Sequence, residues 1–328
     1  MRVPLTLACW DYDRTRPLAS GEVVPDGIDL TYLNLPIEET FFRMARFREF
    51  DAAEMSLSSY TISLCQDAPF VAIPAFPSRA FRHNGIYVNA ASGIREPADL
   101  AGRLVGVPEY QLTAAVWIRG ILAEHHGLPV TAVNYRIGGL HQPGRVDKIA
   151  HAPPPGVQIE GIPPGDTLDG MLADGRIDAL YSPRTPRSFA AGDPRVHRLF
   201  TDPRAEEERY FATTGIFPIM HVVVLRRDVY ERRPWLAQAL YKAFEQARAQ
   251  TVARLAETAA SACLLPWLYA ELERTQAMMG TDFWPYGLGP NEEVLRTFLR
   301  YALDQGLLTR ALAPADLFAR ETREAHVV

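Results

Sequence analysis

The apolar positions of the chain fall into short blocks that switch between two periodicities. Residues 3–9 and 28–33 are compact runs of strand length, the second entered through the turn Pro25-Asp26-Gly27. After Pro36 the spacing becomes helical, with Phe41, Met44, Ala45 and Phe47 on one stripe. A short strand over 50–55 ends at Glu54-Met55. The hydroxyls of Ser56-Leu57-Ser58-Ser59 then offer helix N-cap chemistry. Residues 69–76 and 85–89 are apolar enough to be buried strands.

A new unit opens at Pro97-Ala98-Asp99-Leu100-Ala101-Gly102. It holds a strand at 103–107, a loop Pro108-Glu109-Tyr110 and a helix over 112–124. A strand at 132–136, a Pro/Gly-rich loop over 138–165, a helix at 167–174 and a strand at 177–181 follow. Residues 216–226 read as a strand returning to the first unit, and 228–325 as mostly helical. Alternating strands and helices build α/β sheets that work at the carboxyl ends of their strands. The pattern predicts a two-lobed protein with two mostly parallel sheets, flanked by helices, and a cleft between the lobes. Residues 1–88 and 222–328 form the first lobe and 89–221 the second.

Composition narrows the function. Hydrophobic residues make up 48% of the 328 positions and the formal net charge is −5, so no broad basic face is available for nucleic acid or an anionic membrane. No apolar run approaches a membrane span, and the amino terminus turns polar at Asp11 before a signal-peptide core is complete. The expected location is cytoplasmic. Cys9, Cys65 and Cys263 are far apart and read as reduced core residues. Lysine occurs only at Lys148 and Lys242, neither in a promising pocket context, which argues against Schiff-base chemistry. His125-His126 lacks the spacing of a helical metal pair, and neither a zinc motif nor a nucleotide or nucleophile-elbow motif occurs. No metal is expected.

The candidate chemistry concentrates at strand ends. The strand, polar loop, helix sequence recurs at 50–60 and 103–115, so two helix N-termini should face one another across the cleft. Ser56 and Ser58 lie at one, Tyr110 and Thr113 at the other. Taken singly, each hydroxyl serves equally as a cap. The loop Pro77–Asn84 packs Arg79, Arg82 and His83 into five positions where a structural turn would use Gly or Asn. Guanidinium groups match carboxylates bidentately, although surface salt bridges and a loop histidine would also explain the cluster. Glu109, beside a helix N-terminus, is either a general acid or base or an ion-pairing residue. His221 closes the run Ile216–His221 on a crossing strand, in the cleft or in the core. Arg145 follows a Gly-rich loop and Arg184 lies just past a strand end, and either can be simply solvated. Trp284-Pro285-Tyr286 walls the cleft or packs a helix end.

Several stretches resemble the 4,5-dihydroxyphthalate decarboxylase family, which is built on the type 2 periplasmic binding-protein fold. They include Glu54–Tyr60, Pro69–Pro74, Phe76–Arg79 and Phe81–His83, then Val105–Tyr110 and Pro143–Arg145, and finally Ile216–His221 and Trp284–Gly287. They run in order through nearly the whole chain. His141 departs from the pattern, standing where the Gly-Gly loop of that family carries an acidic residue. The resemblance implies decarboxylation of a hydroxylated aromatic dicarboxylate by ring-carbon protonation, with neither metal nor organic cofactor. It implies that Arg79, Arg82 and Arg145 hold carboxylates, helped by Ser56, Ser58 and Thr113. His83 or His221 would then deliver the proton and Glu109 assist the phenol. The expected partner is a small anionic aromatic substrate, and the helical carboxyl-terminal portion can support a homo-oligomer. The rival reading is a non-catalytic solute-binding protein for a similar anion.

Overall fold

A computed structural model describes residues 2–145 and 154–324. Lys148 and the rest of 146–153, within the Pro/Gly-rich loop, therefore lie outside the described residues. The chain divides into two compact units: Met1–Arg79, Ile219–Arg296 and Leu312–Val328 make the first, Ala80–Pro218 and Thr297–Ala311 the second. The first opens with β1 (Val3–Cys9), α1 (Arg16–Ala19), β2 (Ile28–Asn34), α2 (Ile37–Phe47), β3 (Ala52–Ser56), α3 (Leu57–Leu64) and β4 (Phe70–Ile73). The second holds β5 (Ile86–Asn89), β6 (Leu104–Val107), α4 (Thr113–His126), β7 (Asn134–Ile137) and β8 (Gln158–Gly161). It continues with α5 (Leu168–Ala173), β9 (Ala179–Tyr181), α6 (Arg187–Ala190), β10 (Val196–Arg198) and α7 (Pro203–Thr214). The chain then adds β11 (His221–Arg226), α8 (Arg227–Arg232), α9 (Trp235–Leu255), α10 (Leu268–Met279) and α11 (Glu292–Asp304).

Both sheets are mixed. In the first, ordered β2-β1-β3-β11-β4, β1 runs parallel to β2 and β3, while β11 is antiparallel to β3 and β4. In the second, ordered β10-β5-β9-β6-β7-β8, the run β9-β6-β7-β8 is parallel and β5 is antiparallel to β9 and β10. The inner strands are apolar without alternation because both faces are covered: Val222, Val223, Val224 and Leu225 are all fully buried.

Several elements go beyond the periodicity reading, three of them instructive. β8 lies inside the stretch expected to be loop, because its QIEG sequence is polar and mostly exposed at a sheet edge. β10 has only three residues, and α7 is polar on nearly every face, with Tyr210 its buried residue. The strand expected over 216–226 begins only at His221. Pro218 has no N–H for a ladder, and the residues before β11 pair locally instead, Met220 N–H with the Ser78 carbonyl at 2.8 Å. Cys263 is exposed, on a segment between α9 and α10 that contributes no core residue, whereas Cys9 is buried.

One register matters for chemistry. His221 lies opposite Ser56 and Val223 opposite Glu54 across the β3–β11 ladder. Glu54 and His221 are thus diagonal neighbours on one face of the sheet, a placement that lets long side chains meet.

Candidate active site

Glu54 is fully buried in β3, and its carboxylate gathers the polar groups around it. The His221 Nδ1 stands 2.6 Å from Oε1, and the Tyr12 hydroxyl donates to the same oxygen at 2.7 Å. The Trp10 N–H donates to Oε2 at 3.1 Å, and the Cys9 thiol contributes a longer contact at 3.5 Å. Because an ionised carboxylate only accepts, His221 must present Nδ1–H to it, leaving Nε2 as the nitrogen available for proton transfer. Burial raises the Glu54 carboxyl, but the His221 charge and the bonds from His221, Tyr12 and Trp10 outweigh it and hold the group below the usual carboxylate range. The same desolvation, followed by the Glu54 charge, pushes the Cys9 thiol well up. The Phe41 ring meets the His221 ring edge-on at 4.9 Å, fixing its plane.

Arg14 and Arg79 are two cations of this unit with aromatic surroundings. The Arg14 guanidinium is stacked between Tyr12 and Trp284, 4.2 and 4.3 Å from the two ring centroids, and donates to the Pro77 carbonyl at 2.6 Å. Trp284 in turn donates its indole N–H to the Phe76 carbonyl at 3.0 Å. Arg79 is buried and is held by the Pro285 carbonyl at 2.7 Å and by the Asn291 side chain. Burial pulls its guanidinium down to about 9. The Trp284–Gly287 segment therefore packs on these two arginines from within the unit. Ser56 accepts the Ser59 N–H as a helix cap, and Ser58 is buried in the first turn of α3.

In the second unit, Glu109 is buried after β6 and is gripped by Arg145, whose Nε and Nη2 lie 2.7 and 2.5 Å from Oε1. The Gln111 amide donates to the other oxygen at 3.1 Å. Tyr110 is used differently from its neighbour. Its ring stacks under the Arg119 guanidinium at 3.8 Å, its carbonyl accepts from Arg119 at 2.6 Å, and its hydroxyl donates to the Gln305 carbonyl. Arg119 completes this buried knot by donating to Gln305 Oε1 at 2.7 Å. Thr113 is buried at the start of α4. Farther along α4, Gly120 is required by contact: a Cβ there would stand 2.1 Å from the Tyr301 ring.

His83 sits apart from Glu109 in this unit, against α7 and the end of α4. Burial, then the charges of His126, His125 and Arg209, depress its pKa to about 4, so its imidazole is neutral near pH 7. Arg82 is half-buried, with burial pulling it to about 10, and Arg184 is exposed. The structure therefore groups His221 with Glu54, Tyr12, Cys9 and Arg14, and Arg145 with Glu109. Glu54, Tyr12 and Arg14 were not among the expected site residues. The available signal was the one acidic residue of an otherwise apolar strand, and a dense polar loop, Asp11–Arg14, straight after β1. Among the described residues no group of three or more His, Cys, Asp or Glu side chains is placed to hold a metal ion. Among them, too, no helix is long and apolar enough to cross a membrane.

No protein-family model matches the chain. Curated relatives do. A 4,5-dihydroxyphthalate decarboxylase from Comamonas testosteroni is 42% identical over 318 residues, 97% of this chain and 96% of the relative. One of the same name from Pseudomonas putida is 44% identical over 211 residues, 64% of this chain and 82% of the relative. Among solved structures, the periplasmic aliphatic sulphonate binding protein SsuA from Escherichia coli superposes with a TM-score of 0.55 at 15% identity. That match covers 98% of this chain and 99% of SsuA, and identifies a shared periplasmic binding-protein-like fold.

Proposed function

The chain belongs to the 4,5-dihydroxyphthalate decarboxylase family and is a carboxy-lyase, and from that premise we propose how it works. The substrate is a hydroxylated aromatic dicarboxylate such as 4,5-dihydroxyphthalate, converted to 3,4-dihydroxybenzoate and CO2 without a metal or organic cofactor. His221 is the acid. Its Nε2–H delivers a proton to the ring carbon bearing the departing carboxylate, while the hydroxyl para to that carbon passes its proton to water and pushes electrons into the ring. The carbon–carbon bond to CO2 then breaks, and its electron pair restores the aromatic ring. The phenol recovers a proton, so the net reaction consumes one proton and releases one CO2.

The observation that carries this reading is the 2.6 Å contact between His221 Nδ1 and the fully buried Glu54 carboxylate. The carboxylate on Nδ1 orients the ring and fixes Nε2 as the nitrogen that donates. A buried carboxylate is itself costly, and the Tyr12 and Trp10 donors keep it ionised. Arg14, stacked on Tyr12, supplies the cation for a carboxylate. In the second unit, the buried Glu109 and Arg145 hold one another as an ion pair. His83 is a poor acid because its neutral form prevails near pH 7.

The test is to incubate the purified protein with 4,5-dihydroxyphthalate and follow CO2 and 3,4-dihydroxybenzoate. His221→Ala should lower turnover by about 10²–10⁴-fold, the range for a lost general acid or base. Turnover by His221→Ala at the wild-type rate would remove the assignment. Binding of 4,5-dihydroxyphthalate without product would remove the substrate.

A further inference from the structure

The second unit contains a pocket that the chemistry above does not use. It has a volume of about 200 Å³ and is lined by His83, His125, His126 and, from α7, Glu206, Arg209, Tyr210 and Thr213. His83 is only 4% exposed, yet its Nδ1 has no hydrogen-bond partner among the described residues. An orphaned buried imidazole nitrogen is unfavourable, and natural cores rarely carry one without a purpose.

The walls are aromatic. The His83 ring packs against Tyr210 at 5.4 Å and Phe200 at 5.6 Å, His125 meets Tyr210 edge-on at 5.2 Å, and His126 meets Phe200 at 5.6 Å. Burial lowers the affinity of His83 and His126 for protons, so the interior offers neutral rings with one donor and one acceptor nitrogen each. The permanent charges are at Arg209 and Glu206, 2.7 Å apart, and the Arg209 side chain is 67% exposed. Thr213 spends its hydroxyl on the Arg209 carbonyl.

We propose that this pocket is a second ligand site, taking a single-ring hydroxylated aromatic monocarboxylate. Size, walls and charge agree on that class. A cavity of about 150 Å³ accommodates one benzene ring, so the volume here suits one substituted ring. The ring lies among aromatic faces, a hydroxyl meets an imidazole of the His83–His126 group, and the carboxylate exchanges with Glu206 for the Arg209 guanidinium. Two carboxylates would leave one facing Glu206, which disfavours the dicarboxylate substrate. The choice of ligand rests on the proposed reaction, whose product belongs to this class; the pocket itself does not. Occupancy by product would let its accumulation be sensed by residues that take no part in the chemistry.

The experiment follows the imidazole signals of histidine-labelled full-length protein by NMR as 3,4-dihydroxybenzoate is added. The His83 and His126 signals should move together and saturate, and do so equally in His221→Ala. Arg209→Gln, at an exposed position that tolerates substitution, should weaken the response about tenfold or more, the loss expected for a charge-assisted pair. Absence of a saturable His83 shift, an equal shift with sulfate, or an unchanged affinity in Arg209→Gln would each overturn the proposal. Turnover of 4,5-dihydroxyphthalate in the same samples separates the two readings. Product formation without a His83 response sinks the pocket alone, and a His83 response without product formation sinks the reaction alone.

Discussion

Replacing Glu54 by Gln is the sharpest perturbation of the proposed chemistry, because it removes a charge and almost nothing else. The amide fits the same buried volume. With its oxygen in the Oε2 position it still accepts from the Trp10 N–H, now 3.1 Å away, and its NH2, in the Oε1 position that His221 Nδ1 and the Tyr12 hydroxyl share, can donate to His221 Nδ1. What is lost is the anion 2.6 Å from His221 in a fully buried setting. A hydrogen bond to a charged group contributes about 1.5–3 kcal/mol, against about 0.5–1.5 kcal/mol for a neutral one. With the neutral bond retained, the difference of about 1–1.5 kcal/mol, at about 1.36 kcal/mol per factor of ten, gives a loss in kcat/KM of roughly 5- to 13-fold. The assay is steady-state formation of 3,4-dihydroxybenzoate, with a thermal melt to show that the variant is folded. The decisive comparison is the double variant Glu54→Gln/His221→Ala. Glu54 acts through His221, so once His221 is gone the second change should cost little, and the losses should be far from additive. Wild-type kcat/KM in Glu54→Gln, or losses that add, would refute the reasoning.

Four further outcomes follow from named contacts. Tyr12→Phe removes one donor from Glu54 and should lower kcat/KM by about 3- to 10-fold, the equivalent of a single hydrogen bond, as read in the same assay. Arg14→Ala should raise KM with little change in the melting temperature. Arg79→Ala should instead lower the melting temperature, since it empties a buried, hydrogen-bonded position; steady-state kinetics and melting curves on both variants distinguish the roles. For His83 the folded-state pKa is depressed to about 4 against about 6.5 unfolded, so its contribution to stability is complete above pH 6.5 and is lost as the pH falls toward 4. Denaturant midpoints at pH 7 and pH 5 should therefore converge in His83→Gln relative to wild type, while turnover at pH 7 is retained.

The legible part of this protein is the part governed by local pattern. β1, β2 and α2 lie within a residue or so of where the apolar spacing puts them, because strand and helix periods are short-range signals. β8 and β10 escape that reading for an equally physical reason. An edge strand such as Gln158–Gly161 is held by backbone bonds to β7 and has little apolar face to display. The same divide runs through the candidate site. His221 stands out as a polar residue ending an apolar run. Glu54 looks like any acid at a strand end until the β3–β11 register sets it diagonal to a histidine 167 positions away.

His83 shows the complementary effect. In sequence it is as much a candidate as His221, being an imidazole among arginines. Its chemistry, however, is decided by the end of α4 and by α7, whose His125, His126 and Arg209 are distant in the chain and share with burial the work of keeping it neutral. Two histidines, one in an arginine-bearing loop and one ending an apolar run, thus acquire different neighbours: one is set against a buried anion, the other among cations and aromatic rings. A proton donor needs the first environment, and a neutral recognition surface needs the second. The substitution His126→Phe separates them. It should perturb aromatic-acid binding at His83 and leave the rate of CO2 release intact, because no charge next to His221 has changed.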